Sequence, residues 1–109
     1  MLLPPDSLGK IIPQTDTEAA DTDVVITLAA QEKEWNVLHA IQYSYSETPS
    51  GGGITVVIGG TTVFDFDISG TEGTIEFPAP VYQKRNQAMV ITLKAGGGTA
   101  VGTLNIQTS

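Results

Sequence analysis

Seven short runs of this chain alternate apolar and polar side chains with the two-residue period of a half-buried strand, and glycine-rich stretches separate them. The runs fall at residues 24–28, 35–45, 54–58, 63–68, 74–77, 89–93 and 102–107. A period of two places successive side chains on opposite faces, so each run has one face to bury and one to wet, and sheets packed face to face satisfy that demand. With 109 residues there is room for one domain and one modest core. The expected fold is all-β: a single antiparallel β-sandwich of seven or eight strands, jelly-roll-like or immunoglobulin-like in outline. It lacks the cysteine pair that marks an antibody-type domain, because the chain has no cysteine.

The turns set the connections. Gly59-Gly60 lies between two alternating runs, and a two-residue Gly-Gly loop in that position is the signature of a type I′ hairpin. Residues 48–53, 69–73 and 95–99 are the other turns. Pro78-Ala79-Pro80 interrupts the chain after Phe77, so Val81-Tyr82 is expected as a short strand or bend crossing between sheets. The glycine runs at 51–53 and 96–98 lead into no helix and are not followed by the lysine and hydroxyl of a phosphate loop, which leaves them as flexible loop tips.

Pleating then separates inside from outside. Ile54, Val56 and Ile58 share a face, as do Phe64, Phe66 and Ile68; Ile75 with Phe77, then Met89, Ile91 and Leu93, then Leu104 with Ile106 repeat the pattern. In the long second run the odd positions Trp35, Val37, His39, Ile41, Tyr43 and Tyr45 read as inward. Leu38 and Ala40 on the opposite side imply a strand covered on both faces.

Residues 1–22 have neither period. Leu2, Leu3, Leu8, Ile11 and Ile12 are apolar in patches among prolines, and an acidic, small-residue stretch follows. The reading is an extended N-terminal arm, residues 1–22, ahead of a sandwich domain, residues 23–109. The apolar arm positions dock on a partner or neighbouring subunit. A disordered tail, or an edge strand folded onto its own domain, accounts for the same pattern.

Twelve acidic residues against five basic ones leave a formal charge of -7, which repels nucleic-acid phosphates and anionic membranes, so neither is expected as a partner. Met1 to Pro5 lacks the features of a secretory leader, and no window approaches the roughly 18 apolar residues of a membrane span, so the chain is expected to be soluble where it is made.

Reactive chemistry is sparse. His39 is the sole histidine, with apolar neighbours and no nucleophile motif nearby, and reads as a packed, hydrogen-bonded side chain. Asp65 and Asp67 share one strand face, but no oxygen-rich loop completes a calcium site. No catalytic residue, metal ligand or cofactor site is assigned, and no enzymatic activity is expected. Trp35, Tyr43, Tyr45 and Tyr82 keep a carbohydrate-binding module open as an alternative. Lys84-Arg85 is the basic pair of an acidic chain, an exposed loop that offers a polar interface to an acidic patch on a partner.

Residues 35–46, the turn at 49–53, Ile58-Gly59-Gly60, residues 78–82, and the ending 90–98 and 102–106 together resemble small structural proteins of tailed bacteriophages that decorate or cement the outside of the head. The resemblance covers residues 23–108. It implies a β-sandwich that oligomerises, as a homotrimer in preference to a dimer, and clamps neighbouring major capsid protein subunits. It places the chain on the outer capsid surface of a virion after synthesis in the host cytoplasm, and it implies no catalytic residue. A head-fibre base, tail or baseplate component of the same virion is the other structural reading.

Overall fold

The computed structural model describes residues 12–30 and 36–109. Eight strands follow in order: β1 (Ile12–Thr17), β2 (Val24–Leu28), β3 (Val37–Tyr45), β4 (Gly52–Ile58), β5 (Thr61–Ile68), β6 (Glu72–Tyr82), β7 (Met89–Leu93) and β8 (Gly102–Thr108). Their pairing is nested. β4 pairs with β5, β3 with β6, β2 with β7 and β1 with β8, all antiparallel, so the chain runs as one long two-stranded ribbon folded back on itself. The tip of that ribbon is Gly59-Gly60, where Ile58 pairs with Thr61 and both glycines take positive φ, 56° and 84°. These are the left-handed values a type I′ turn demands and glycine adopts without steric cost.

Rolling the ribbon brings β3 against β8 and β4 against β7, which yields two four-stranded sheets, β1-β8-β3-β6 and β2-β7-β4-β5. This is the strand order of an eight-stranded jelly roll. Between the sheets lie Val24, Leu38, Ile41, Ile54, Val56, Met89, Ile91, Leu93, Leu104 and Ile106, all fully buried. Facing residues match across the ladders: Ile41 pairs with Ile106 on one side and Ile75 on the other, and Val56 with Ile91.

β3 departs from simple alternation. Leu38 pairs with Thr108 and Ala40 with Gln107, so His39 is an extra residue that opposes nothing on β8. A one-residue bulge reverses the facing of everything before it. Leu38 is therefore inward and fully buried, while Val37 is only half-buried, contrary to the strict odd-numbered inner face. The bulge explains the apolar residues on both phases of this run without a second covering layer at Leu38. His39 is half-buried, and its Nε2 lies 2.6 Å from Ser109 Oγ.

Two other expectations change. Val81-Tyr82 does not cross between sheets. β6 continues through Pro78-Ala79-Pro80, with Ala40 opposite Glu76 and Leu38 opposite Val81, and the residues between bulge away from β3. An outermost strand tolerates this, since proline lacks only a donor that would face solvent. The glycine runs are free tips only at Gly51 and Gly98, which are exposed with open space beside them. Gly52 and Gly53 belong to β4 and are buried, as is Gly96; Tyr45 lies against Gly52 and Gly96, and the Lys94 side chain and Phe66 backbone lie against Gly53. A Cβ on Gly52 would stand 2.8 Å from the Tyr45 hydroxyl, and one on Gly96 2.8 Å from its ring.

Tyr45 donates its hydroxyl hydrogen bond to the Lys94 carbonyl at 2.8 Å. Burial raises its pKa, with a partly offsetting backbone hydrogen bond from Gly53 and smaller contributions from Tyr43 and Asp23. Because the folded state holds this proton more tightly, the stabilisation is complete below the unfolded phenol pKa of about 10 and is lost as pH rises through the higher native value. Alkaline titration followed by circular dichroism should show stability falling above about pH 10, and Tyr45→Phe should flatten the curve in that window.

Candidate functional site

The sheet register defines a cross-strand row at one end of the sandwich, buried at its two central strands. Ile12 of β1 pairs with Thr108 of β8, Thr108 with Leu38 of β3, and Leu38 with Val81 of β6. Ile12 and Val81 thus sit at opposite edges of one row, three strand spacings or about 14 Å apart. Ile12, expected within the arm, is the first residue of β1, so residues 12–17 are an edge strand on their own domain. A half-buried Gln14 and Asp16 follow it there. Leu2, Leu3, Leu8 and Ile11 lie outside the described residues, as does Trp35.

At the far edge of that row Tyr82 is 59% exposed, and Lys84 and Arg85 follow on a short loop. An open depression of about 430 Å³ runs beside Tyr82, Gln83, Lys84 and Arg85. The loop is held from inside by Gln83, 1% exposed. Its Nε2 donates to the carbonyls of Leu28 (3.1 Å), Ala29 (2.7 Å) and Gln87 (2.9 Å), and its Oε1 accepts from Asn36 Nδ2 (2.9 Å) and the Asn36 backbone N–H (3.1 Å). The Gln87 backbone N–H closes the turn onto the Lys84 carbonyl at 3.1 Å, with Asn86 left-handed at φ 59°. No ion pair among the described residues engages Lys84 or Arg85; the one present joins Lys94 and Asp65 at 3.6 Å. The basic pair is thus a pinned cationic projection beside an exposed aromatic ring.

The Gly59-Gly60 tip reaches the same end, its Gly59 N–H donating to the Ala88 carbonyl at 3.1 Å. From there an apolar margin runs along β5 and β6, the outermost strands of the two sheets on that side. Phe64, Phe66 and Ile68 share the inner face, yet only Ile68 is buried; Phe66 is 43% exposed, and Val63, the extra residue of a bulge, 46%. Phe64 stacks on Phe66 with centroids 6.2 Å apart and meets Phe77 of β6 edge-to-face at 5.2 Å, bridging the sheets. No residue of β6 is fully buried. An inner face at a sandwich margin lacks an opposite layer, so these rings stay half-wet.

The outer face of the β1-β8-β3-β6 sheet is polar over two successive rows, with the apolar Ala40 in the row beyond them. Thr17, Thr103, Ser44 and Glu72 form one cross-strand row, and Thr15, Asn105, Gln42 and Thr74 the next. Among the described residues, no group of three or more histidine, aspartate or glutamate side chains is placed to hold a metal ion. Sequence reasoning singled out Lys84 and Arg85 but passed over Gln83 and the outer-face amides, which look like any solvated polar positions until the register assembles them.

No family model matches the chain, and no curated protein matches it. Among solved structures, it is similar to the insecticidal delta-endotoxin Cry8Ea1 of Bacillus thuringiensis, with a TM-score of 0.54 and 18% identity over 86% of this chain and 19% of that one. Similarity also extends to latent PorU of Porphyromonas gingivalis (TM-score 0.48, 11% identity, 85% of this chain and 10% of that one). A family 35 carbohydrate binding module from Clostridium thermocellum is matched at a TM-score of 0.46 and 11% identity, over 89% and 91% of the two chains. The chain spans about a fifth of the endotoxin and a tenth of PorU. At these identities the likeness concerns the fold alone.

Proposed function

We propose that this chain is a structural, non-enzymatic protein that decorates the outside of an assembled tailed-phage head, stabilising contacts between major capsid protein subunits and associating with itself as a homotrimer. The observation that carries the reading is the convergence at one end of the jelly roll. The row that starts at Ile12, directly after the apolar positions Leu2, Leu3, Leu8 and Ile11, ends beside Tyr82, Lys84 and Arg85. Pinned cations beside an exposed aromatic ring suit a docking patch on an acidic protein surface, and the β5–β6 margin adds aromatic area of the kind that interfaces bury. Many weak copies on a lattice bind as one avid layer, so modest contacts per subunit suffice. Neither nucleic acid nor membrane has a part in this reading.

Co-sedimentation with expanded, undecorated heads tests it. The full chain should bind saturably at a stoichiometry matching the lattice. Deletion of residues 2–11, which leaves β1 in place, and the double change Lys84→Glu with Arg85→Glu should each weaken binding by about tenfold or more, the second with a reduced salt dependence. Absence of binding to heads would sink the proposal and direct the search to a head-fibre base, tail or baseplate.

A further inference from the structure

We infer that the outer face of the β1-β8-β3-β6 sheet carries a binding site for a neutral polyhydroxylated ligand, an uncharged oligosaccharide. A depression of about 450 Å³ lies there, lined by Gln42, Ser44, Glu72, Thr74 and Asn105 with Gly73 and the edge of Tyr43. That volume is within the roughly 300–1,000 Å³ of small-molecule sites. The register puts Gln42 directly between Thr74 and Asn105, and Ser44 beside Glu72, so five polar side chains from three adjacent strands converge on one patch. Gln42, Ser44, Glu72 and Thr74 make no side-chain hydrogen bond to any described residue. Asn105 is oriented: its Oδ1 accepts from Thr15 Oγ1 at 2.5 Å, which leaves its amide N–H groups for a ligand.

The donor and acceptor types select the ligand class. A sugar hydroxyl both donates and accepts; a primary amide offers both functions, and a carboxylate accepts from two adjacent hydroxyls. The Glu72 carboxylate in the lining and the charge of -7 on the chain disfavour phosphates, sulfates and uronic acids. An apolar ligand would find five polar groups and little greasy surface to cover. The cross-strand pair Gly73–Tyr43 faces the other way, toward the core, where Tyr43 fills the space that a Cβ on Gly73 would take, so the polar side chains of the neighbouring positions make up the recognition surface. The site lies at the opposite end of β3 from Tyr82 and Lys84, so it does not rest on the capsid reading.

Titration of the uniformly ¹⁵N-labelled full chain with neutral gluco-, manno-, galacto- and xylo-configured hexasaccharides tests the inference. At least one should shift the backbone amides of Gln42, Ser44, Gly73, Thr74 and Asn105. Gln42→Ala and Asn105→Ala should each weaken that response by about fivefold or more, while Glu72→Gln weakens it less. Hexagalacturonate should give no response in this patch. No shift with any neutral sugar at tens of millimolar, shifts confined to Tyr82 and Arg85, or binding unchanged in the Gln42→Ala, Asn105→Ala double variant would each overturn the inference, whatever the outcome with phage heads.

Discussion

Replacing Gln83 with leucine should cost about 3 kcal/mol of folding stability or more, a drop in melting temperature of about 12–24 °C for a domain of this size. The side chain is almost fully buried and ties together three segments: the end of β2 through the Leu28 and Ala29 carbonyls, the approach to β3 through Asn36, and its own loop through Gln87. Leucine has nearly the same volume but no polar atom. The buried Leu28 carbonyl and the part-buried Ala29 and Gln87 carbonyls and Asn36 donors would then lose their partner; a stranded buried group costs about 1–3 kcal/mol, and the part-buried ones add less each. Gln83→Glu separates lost hydrogen bonding from lost shape. It keeps the outline but turns a carboxylate toward three carbonyl oxygens, which raises its pKa. Its folded state therefore gains stability as pH falls through that raised value and is weakest near neutrality. Urea unfolding followed by circular dichroism, with the exposed Gln87→Ala as a control within about 0.5 kcal/mol of wild type, reads all three. A loss below about 1 kcal/mol in Gln83→Leu would mean that water replaces the amide and that the Lys84–Arg85 projection is not pinned as described.

The strands that could be read from the sequence were those whose period matched their burial. β2, β7 and β8 bury every second residue without interruption, as β4 does from Ile54 to Ile58, and their apolar runs name them directly. The ribbon tip was equally legible, because Gly59-Gly60 is chemistry that few other turns need. What escaped is non-local. The His39 bulge reverses two residues of β3, and only the partner strand β8 reveals that Ala40, not His39, faces Gln107. Pro78 and Pro80 look like strand breakers until β6 proves to be outermost, with a free edge to lose donors on. Gly52 and Gly96 look like loop until Tyr45, distant in sequence from Gly96, fills the space their missing side chains leave. Gln83 sits in a run of polar residues whose local pattern carries no sign of burial, since its partners come from residues 28, 29 and 36. Phe64 and Phe66 were rightly placed on an inner face, but facing inward at a margin is not the same as being covered.

That distinction sets the second large effect. Ile41→Ala should destabilise the free protein by about 2–5 kcal/mol, a large share of the roughly 5–15 kcal/mol that holds a domain together. Ile41 is fully buried on an inner strand of its sheet, flanked by Ile106 and Ile75 on its own face, so its truncation leaves a cavity in the core. Ile75→Ala, one strand nearer the margin and only half-buried, should cost about 1–2 kcal/mol, and Phe66→Ser about 1 kcal/mol or less, because water already reaches both sites. The three variants measured by urea unfolding trace a gradient from rigid centre to soft margin. Repeating Phe66→Ser on the surface of a decorated head turns the gradient into a test of what the margin is for. If the β5–β6 side closes against a neighbouring subunit, the ring becomes fully buried only in the bound state, and the variant should lose about tenfold in affinity while its own fold stays nearly as stable as before. Equal binding by wild type and Phe66→Ser would leave the margin as an exposed edge and confine docking to the end that bears Tyr82, Lys84 and Arg85.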